Sequence, residues 1–138
     1  MQHHKINDNL SVAPQIKPSD VPKIAALGFK LIICNRPDGE ERGQPRFAEI
    51  EEAAMKHGLE FEYQPVVSGQ MSPQEAETFR DSCKHAEGPV FAYCRSGTRC
   101  TILWALSEVG RLSAEEIIDT AQRAGYDIRG LEPALRSK

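Results

Sequence analysis

The chain has 138 residues, 40% of them hydrophobic and 27% charged, the balance of a soluble globular protein with material for one core and not two. One domain is therefore expected over residues 1–138. A formal net charge of −3 gives no general attraction to nucleic acid or to a membrane, so any affinity for anions must be local. No apolar run approaches the length of a bilayer-crossing helix and no signal-peptide pattern opens the chain, so a cytoplasmic location is expected.

Taken in order, Lys5–Ile6 and Leu10–Val12 flank a turn at Asp8–Asn9 and suggest a strand pair or a single edge strand. Ser19 is a candidate helix N-cap, followed by Pro22 in the first turn, an apolar stripe through Val21, Ile24, Ala25 and Leu27, and a stop at Gly28. Residues 29–34 form the clearest buried strand, with Leu31, Ile32 and Ile33 consecutive. A polar loop, Asn35-Arg36-Pro37-Asp38-Gly39-Glu40-Glu41, leaves it. A helix is expected over 46–57, with Phe47, Ile50 and Ala54 inward, and a half-exposed strand over 59–65.

After a loop over 66–71, Ser72, Pro73 and Glu75 make a helix-opening capping box, and that helix ends near Gly88-Pro89. Val90 to Tyr93 then reads as a second buried strand, and the run from Thr101 to Val109 as a helix. Ser113 with Glu116 opens another helix, whose Ile117, Ile118, Ala121 and Ala124 face inward. A short final helix, interrupted near Pro133, is expected within 126–138. Alternating strands and helices predict an α/β fold: a mainly parallel sheet of four to five strands with helices on both faces. In such sheets ligands bind beyond the carboxyl ends of the strands.

The chemistry-bearing stretch lies at one of those ends. Cys94 closes the second buried strand and is followed by Arg95, Ser96, Gly97, Thr98 and Arg99, then a helix. A strand, a tight glycine loop and a helix can turn several backbone amides and the helix's positive end toward the cysteine sulfur. Arg99 adds a fixed charge and a planar fork of donors suited to an oxyanion. A thiol in that setting is expected to be acidic and nucleophilic. Gly97 allows a positive φ or a close backbone approach. A half-buried structural cysteine beside unrelated arginines is the plainer alternative; the accompanying strand, glycine and helix favour the nucleophile.

The other cysteines are Cys34, Cys83 and Cys100. No pair or Cys/His cluster has zinc-like spacing, and neither a metal nor a cofactor is expected. Cys34 and Cys83 read as core residues.

The segment CRSGTR, residues 94–99, preceded by GPVFAY and followed by CTILWAL, together with the stretch from Ile33 to Pro45, resembles the phosphatase-like domain of beta-lactamase hydrolase-like proteins. The resemblance covers nearly the whole chain. It implies a fold like the dual-specificity protein phosphatases. It also implies a domain found alone or fused to a persulfide dioxygenase, where it is taken for a rhodanese-type sulfur transferase. Four residues separate Cys94 from Arg99, the loop length of rhodaneses and one fewer than in tyrosine phosphatases. Phosphatases of this kind also use an aspartate on a neighbouring loop as general acid, and the 66–71 loop has no carboxylate. Asp38 or Glu40 could stand in, but exposed turn residues are the plainer reading of both. Cys100 stands where these families place a serine or threonine, so it either supports Cys94 as a weaker donor, resolves an oxidised or persulfidated Cys94, or is simply packed.

The sequence thus leads to a sulfur transferase that carries sulfane sulfur on Cys94, with Arg99 catalytic, Arg95, Ser96, Gly97 and Thr98 forming the anion-binding loop, and Cys100, Arg36 and Asp38 as accessory candidates. The expected partners are an anionic donor (thiosulfate or glutathione persulfide), a thiol acceptor and, by resemblance, a persulfide dioxygenase. The alternatives are a phosphatase with a phosphocysteine intermediate, and a non-catalytic anion-binding or thiol redox module.

Overall fold

In the computed structural model, which describes residues 1–136, strand β5 (Val90–Tyr93) is the centre of a five-stranded sheet. The strand order is β1 (His4–Asn7), β2 (Leu10–Ala13), β5, β3 (Leu31–Cys34), β4 (Glu60–Tyr63). β1 and β2 form an antiparallel hairpin; β2, β5, β3 and β4 run parallel. All four residues of β3 and of β5 are buried, because helices cover both faces, and that is why these strands read as unbroken apolar runs. The expected strands extend one to two residues beyond the hydrogen-bonded cores at several ends, as element boundaries commonly do.

Side chains alternate across β5. Phe91 and Tyr93 pack with Ile32 of β3 against Ile24 of α1 (Val21–Ala26) and Ile50 and Ala54 of α2 (Phe47–Lys56). Val90 and Ala92 face the other way, onto Phe79 of α3 (Pro73–His85), Leu103 of α4 (Thr98–Ser107), Ile117 of α5 (Ala114–Arg123) and Leu135 of α6 (Glu132–Leu135). Each such large apolar side chain contributes about 1.5–3 kcal/mol by leaving water.

The capping boxes of α3 and α5 form as their sequences imply: Ser72 Oγ accepts from Glu75 N–H and Ser113 Oγ from Glu116 N–H. Ser19 is not a cap. It lies within a 3₁₀ turn over Pro18–Asp20, closed by the Asp20 carboxylate accepting from the N–H of the preceding Lys17, so α1 starts later, at Val21. Pro133 does not interrupt the final helix but sits in its first turn, where the missing donor costs little. Ser137 and Lys138, included in the expected C-terminal segment, lie outside the described residues. Among the described residues, no helix is long and apolar enough to cross a membrane.

Register decides where the site forms. Ala13 and Cys34 both align with Tyr93, and Tyr63 aligns with Cys34, so four parallel strands end on one line. Cys94 N–H donates to Ala13 O at 3.2 Å and Asn35 N–H to Tyr93 O at 2.8 Å. The segments that start at Pro14, Asn35, Gln64 and Cys94 are thereby placed side by side at the carboxyl edge.

Candidate active site

Past Tyr93 the chain has to turn from the sheet centre into α4 within a few residues, and Gly97 makes this possible with φ of 96°. That left-handed conformation suits glycine. A Cβ there would also collide with the Tyr126 hydroxyl. The turn brings Gly97 N–H to 3.0 Å from Cys94 Sγ. Thr101 Oγ1 donates to Gly97 O at 2.9 Å and Ser96 Oγ to Thr98 Oγ1 at 3.0 Å, tying the loop to the helix's first turn. The Thr98 amide faces Ser96 Oγ at 3.4 Å rather than the sulfur. The cradle is therefore narrower than five converging amides.

The environment brings the Cys94 thiol down to about 5. The largest cause is a hydrogen bond from the Cys100 side chain; burial opposes it, and the amides of Cys100, Gly97 and Ser96 add to it. Cys100 thus supports the thiolate despite its weak donor. Its own thiol is pushed well above the usual value, first by complete burial and then by the neighbouring Cys94. Burial likewise raises Cys34 to about 11 and Cys83 to about 12. Cys34 is a core residue as expected, its Sγ donating to Arg36 O at 3.3 Å, whereas Cys83 is half-buried and packs against the core from its edge.

Arg99 is 7% exposed. Its two Nη groups donate to the two oxygens of Glu40 at 2.7 and 2.8 Å, and Nη1 also donates to Val66 O at 3.0 Å. Glu40 in turn accepts from Arg36 Nε at 3.0 Å, while Arg36 Nη1 reaches Gln15 Oε1 and Nη2 reaches Glu41. A guanidinium carries five N–H groups. Two of Arg99's are used at its end edge on Glu40 and a third, the outer Nη1 hydrogen, on Val66 O, which leaves the side edge, Nε and one Nη2 hydrogen, for an oxyanion. Arg95 has a 69% exposed side chain and lies 3.8 Å from Glu41.

These groups line an open cleft of about 600 Å³ formed by Arg36, Glu40, Ser68, Gly69, Met71, Arg95, Ser96, Thr98, Arg99 and Ile102. Cys94, 1% exposed, lies just beneath the loop that floors it. The structure brings together all the expected loop residues with Arg36 and Cys100, and it separates Asp38 from them. Asp38 Oδ1 accepts from Phe47 N–H at 2.9 Å at the start of α2, and its own N–H donates to Tyr63 Oη at 3.0 Å. Phe47 and Tyr63 are stacked with centroids 3.8 Å apart. Through these contacts Asp38 anchors the loop to the start of α2.

Glu40 is the only carboxylate among the cleft-lining residues. The Arg99 hydrogen bond, reinforced by Arg36, holds it down at about 2, so it is ionised at neutral pH. Its folded value lies below the ordinary 4.5, so its stabilisation is complete above about pH 4.5 and is lost as pH falls toward 2. Allowing for its partial exposure, Glu40→Gln is expected to cost about 1–2 kcal/mol at neutral pH. Denaturant melts at successively lower pH should show that difference from the parent protein closing below about pH 4.

Sequence reasoning missed Gln15, Glu41, Tyr126 and the Val66 carbonyl. Only strand register places Gln15 and Val66 here, and no local pattern marks them. Among the described residues no group of three His, Cys, Asp or Glu side chains is placed to hold a metal ion.

Comparison with known proteins agrees with this geometry. The chain is 38% identical over 130 residues to a beta-lactamase hydrolase-like protein of Agrobacterium fabrum, covering 93% of this chain and 30% of that protein. It therefore spans less than a third of the length of the curated relative. A crystal structure of a candidate phosphatase from Neisseria meningitidis is 41% identical, covers 96% of this chain and 95% of its own, and superposes with a TM-score of 0.88. PTPMT1, at 14% identity, with 97% of this chain and 91% of its own covered, reaches a TM-score of 0.76, which shows a shared cysteine-phosphatase fold. Residues 3–111 match the family model described as "Beta-lactamase hydrolase-like protein, phosphatase-like domain", and the chain belongs to that family.

Proposed function

We propose that this domain is a cysteine-dependent transferase for sulfane sulfur. The observation that carries the reading is the lack of an available acid. Glu40 is held ionised by two arginines, Glu41 is paired with Arg36 and lies near Arg95, and Asp38 is bound at the start of α2, so among the described residues no carboxyl group at the cleft is poised to protonate a departing oxygen.

In this reaction the Cys94 thiolate attacks the outer sulfur of a donor such as thiosulfate. A Cys94 S–S bond forms, the donor's S–S bond breaks, and sulfite departs with the bonding pair. The free edge of Arg99 and the exposed Arg95 hold the anion. An acceptor thiolate then takes the outer sulfur and returns Cys94 to thiolate. No acid is needed at either step, because both leaving groups are stable anions near neutral pH.

The second reading is phosphate-ester hydrolysis through a phosphocysteine. The comparisons favour it: the family carries the phosphatase-like description and the 41% identical structure is described as a candidate phosphatase, whereas none of the named relatives is described as a sulfur transferase. The same thiolate would form an S–P bond and break P–O, and an alkoxide leaving group would need a proton that this cleft does not offer.

The test is one preparation assayed for thiosulfate:cyanide sulfur transfer and for release of phosphate from phosphotyrosine and phosphoserine peptides, with Cys94→Ser and Asp38→Asn alongside. We expect sulfur transfer and a Cys94 persulfide by mass spectrometry, and little peptide dephosphorylation. Efficient dephosphorylation that collapses in Asp38→Asn, with no persulfide on Cys94, would make the domain a phosphatase. Slow cleavage of activated aryl phosphates is compatible with either chemistry, since electron-poor phenolates, unlike that of tyrosine, leave unaided.

A further inference from the structure

The Ser96–Gly97 peptide is held at both ends. Its carbonyl accepts a hydrogen bond from Tyr126 Oη at 3.0 Å, and its N–H donates to Cys94 Sγ at 3.0 Å. In a trans peptide plane the C=O and N–H point in opposite directions, so whatever fixes the carbonyl outward aims the amide at the sulfur. Glycine at position 97 gives this peptide plane little rotational preference of its own. Rotated the other way, it would turn a carbonyl dipole on the thiolate and remove a donor from it.

Tyr126 does not belong to the loop. It lies 30 residues away in sequence, beyond the matched segment of residues 3–111. Its N–H is bonded to Ala121 O at 2.9 Å, closing α5. Its ring meets His4 of β1 edge-on, with centroids 5.6 Å apart. The hydroxyl is thus placed by α5 and the sheet edge. Burial, the leading cause, pushes its phenol up to about 12, so it remains a donor throughout the working pH range.

We propose that Tyr126 is a positioning residue whose hydroxyl keeps the Gly97 amide on the Cys94 sulfur. The inference rests on Cys94 being the nucleophile of the proposed reaction, but not on which group it transfers.

The experiment is the pH dependence of Cys94 alkylation by iodoacetamide in the full chain, with no sulfur or phosphate substrate present. The titratable and charged groups around Cys94 and Tyr126 are Cys34 at the end of β3, Cys100 and Arg99 on α4, Arg95 in the loop, Glu40 on Arg99, and His4 against the Tyr126 ring. Between about pH 4 and pH 8 Cys34, Cys100 and Tyr126 stay protonated while Glu40 and Arg99 stay charged, and the remaining groups are common to parent and variant, so the difference in midpoint reports Cys94. Tyr126→Phe keeps the ring and removes the hydroxyl. Its midpoint is expected to rise by about one unit, which is about tenfold less thiolate below both midpoints. The midpoint is read rather than the rate, because a more basic thiolate is also intrinsically more nucleophilic.

Ser113→Ala is the control, removing one side-chain hydrogen bond from the cap of α5 and touching nothing in the loop. A midpoint raised in Tyr126→Phe and unmoved in Ser113→Ala supports the role. A midpoint unchanged in Tyr126→Phe, or raised equally in both variants, overturns it. Failure of the sulfur-transfer assay would leave this outcome untouched, so the two failures are distinguishable.

Discussion

At about pH 6, a limiting amount of a small alkylating reagent is expected to modify Cys94 alone, and Cys94→Ser to lose all group transfer. Cys94 titrates near 5, whereas Cys34 and Cys83 are raised to about 11 and about 12. The thiolate fractions at that pH differ by roughly five to six orders of magnitude. A more basic thiolate attacks faster once formed, which returns roughly three of those orders. The remaining factor, on the order of a hundred or more, favours Cys94. Burial works against it, since Cys94 is 1% exposed while Cys83 is half-buried, and the thiolate advantage is the larger effect. Peptide mapping checks the result. Preferential labelling of Cys34 or Cys83 would remove the basis for a thiol enzyme. A serine at position 94 has an ordinary hydroxyl with no base beside it, so residual transfer in Cys94→Ser would have the same consequence.

Arg99→Lys is expected to lower turnover by about 10²–10³-fold while the fold persists, the scale for deleting one preorganised donor to a developing oxyanion. Lysine preserves the charge but cannot bridge Glu40 at one edge and an oxyanion at the other. In the structure the Arg99 fork makes two bonds to Glu40 and a third to Val66 O, so its side edge is fixed in direction before any ligand arrives. An ammonium in that space can satisfy Glu40 or the ligand, not both in plane. Circular dichroism and the Cys94 alkylation midpoint should stay close to the parent protein, because amides and Cys100, more than Arg99, hold the thiol down. Normal turnover in the lysine variant would reduce Arg99 to a general positive field.

The fold and the acidic thiol were legible in the residues themselves. Consecutive apolar residues in β3 and β5 (Leu31 to Cys34, Val90 to Tyr93) have no way to be buried on both sides except in a parallel sheet between two helix layers. The Ser72 and Ser113 boxes announce their helices through purely local hydrogen bonds. The cysteine loop is local as well: strand, Gly97, helix and Cys100 are contiguous, so chain order alone brings the loop and the second thiol beside the sulfur.

Tertiary structure decided the rest, and for one physical reason: long-range register is not written in any short window of sequence. It joined Glu40 to Arg99 across 59 residues and thereby turned a carboxylate that could have served as an acid into a fixed anion. It drew Asp38, two residues earlier, to the start of α2 instead. It also carried Tyr126 from the far end of α5 to the Ser96 carbonyl. The sequence determined that a cysteine in an amide-rich loop stands at the carboxyl edge of this sheet; which charges face it, and which are already spoken for, depended on four strands ending on one line.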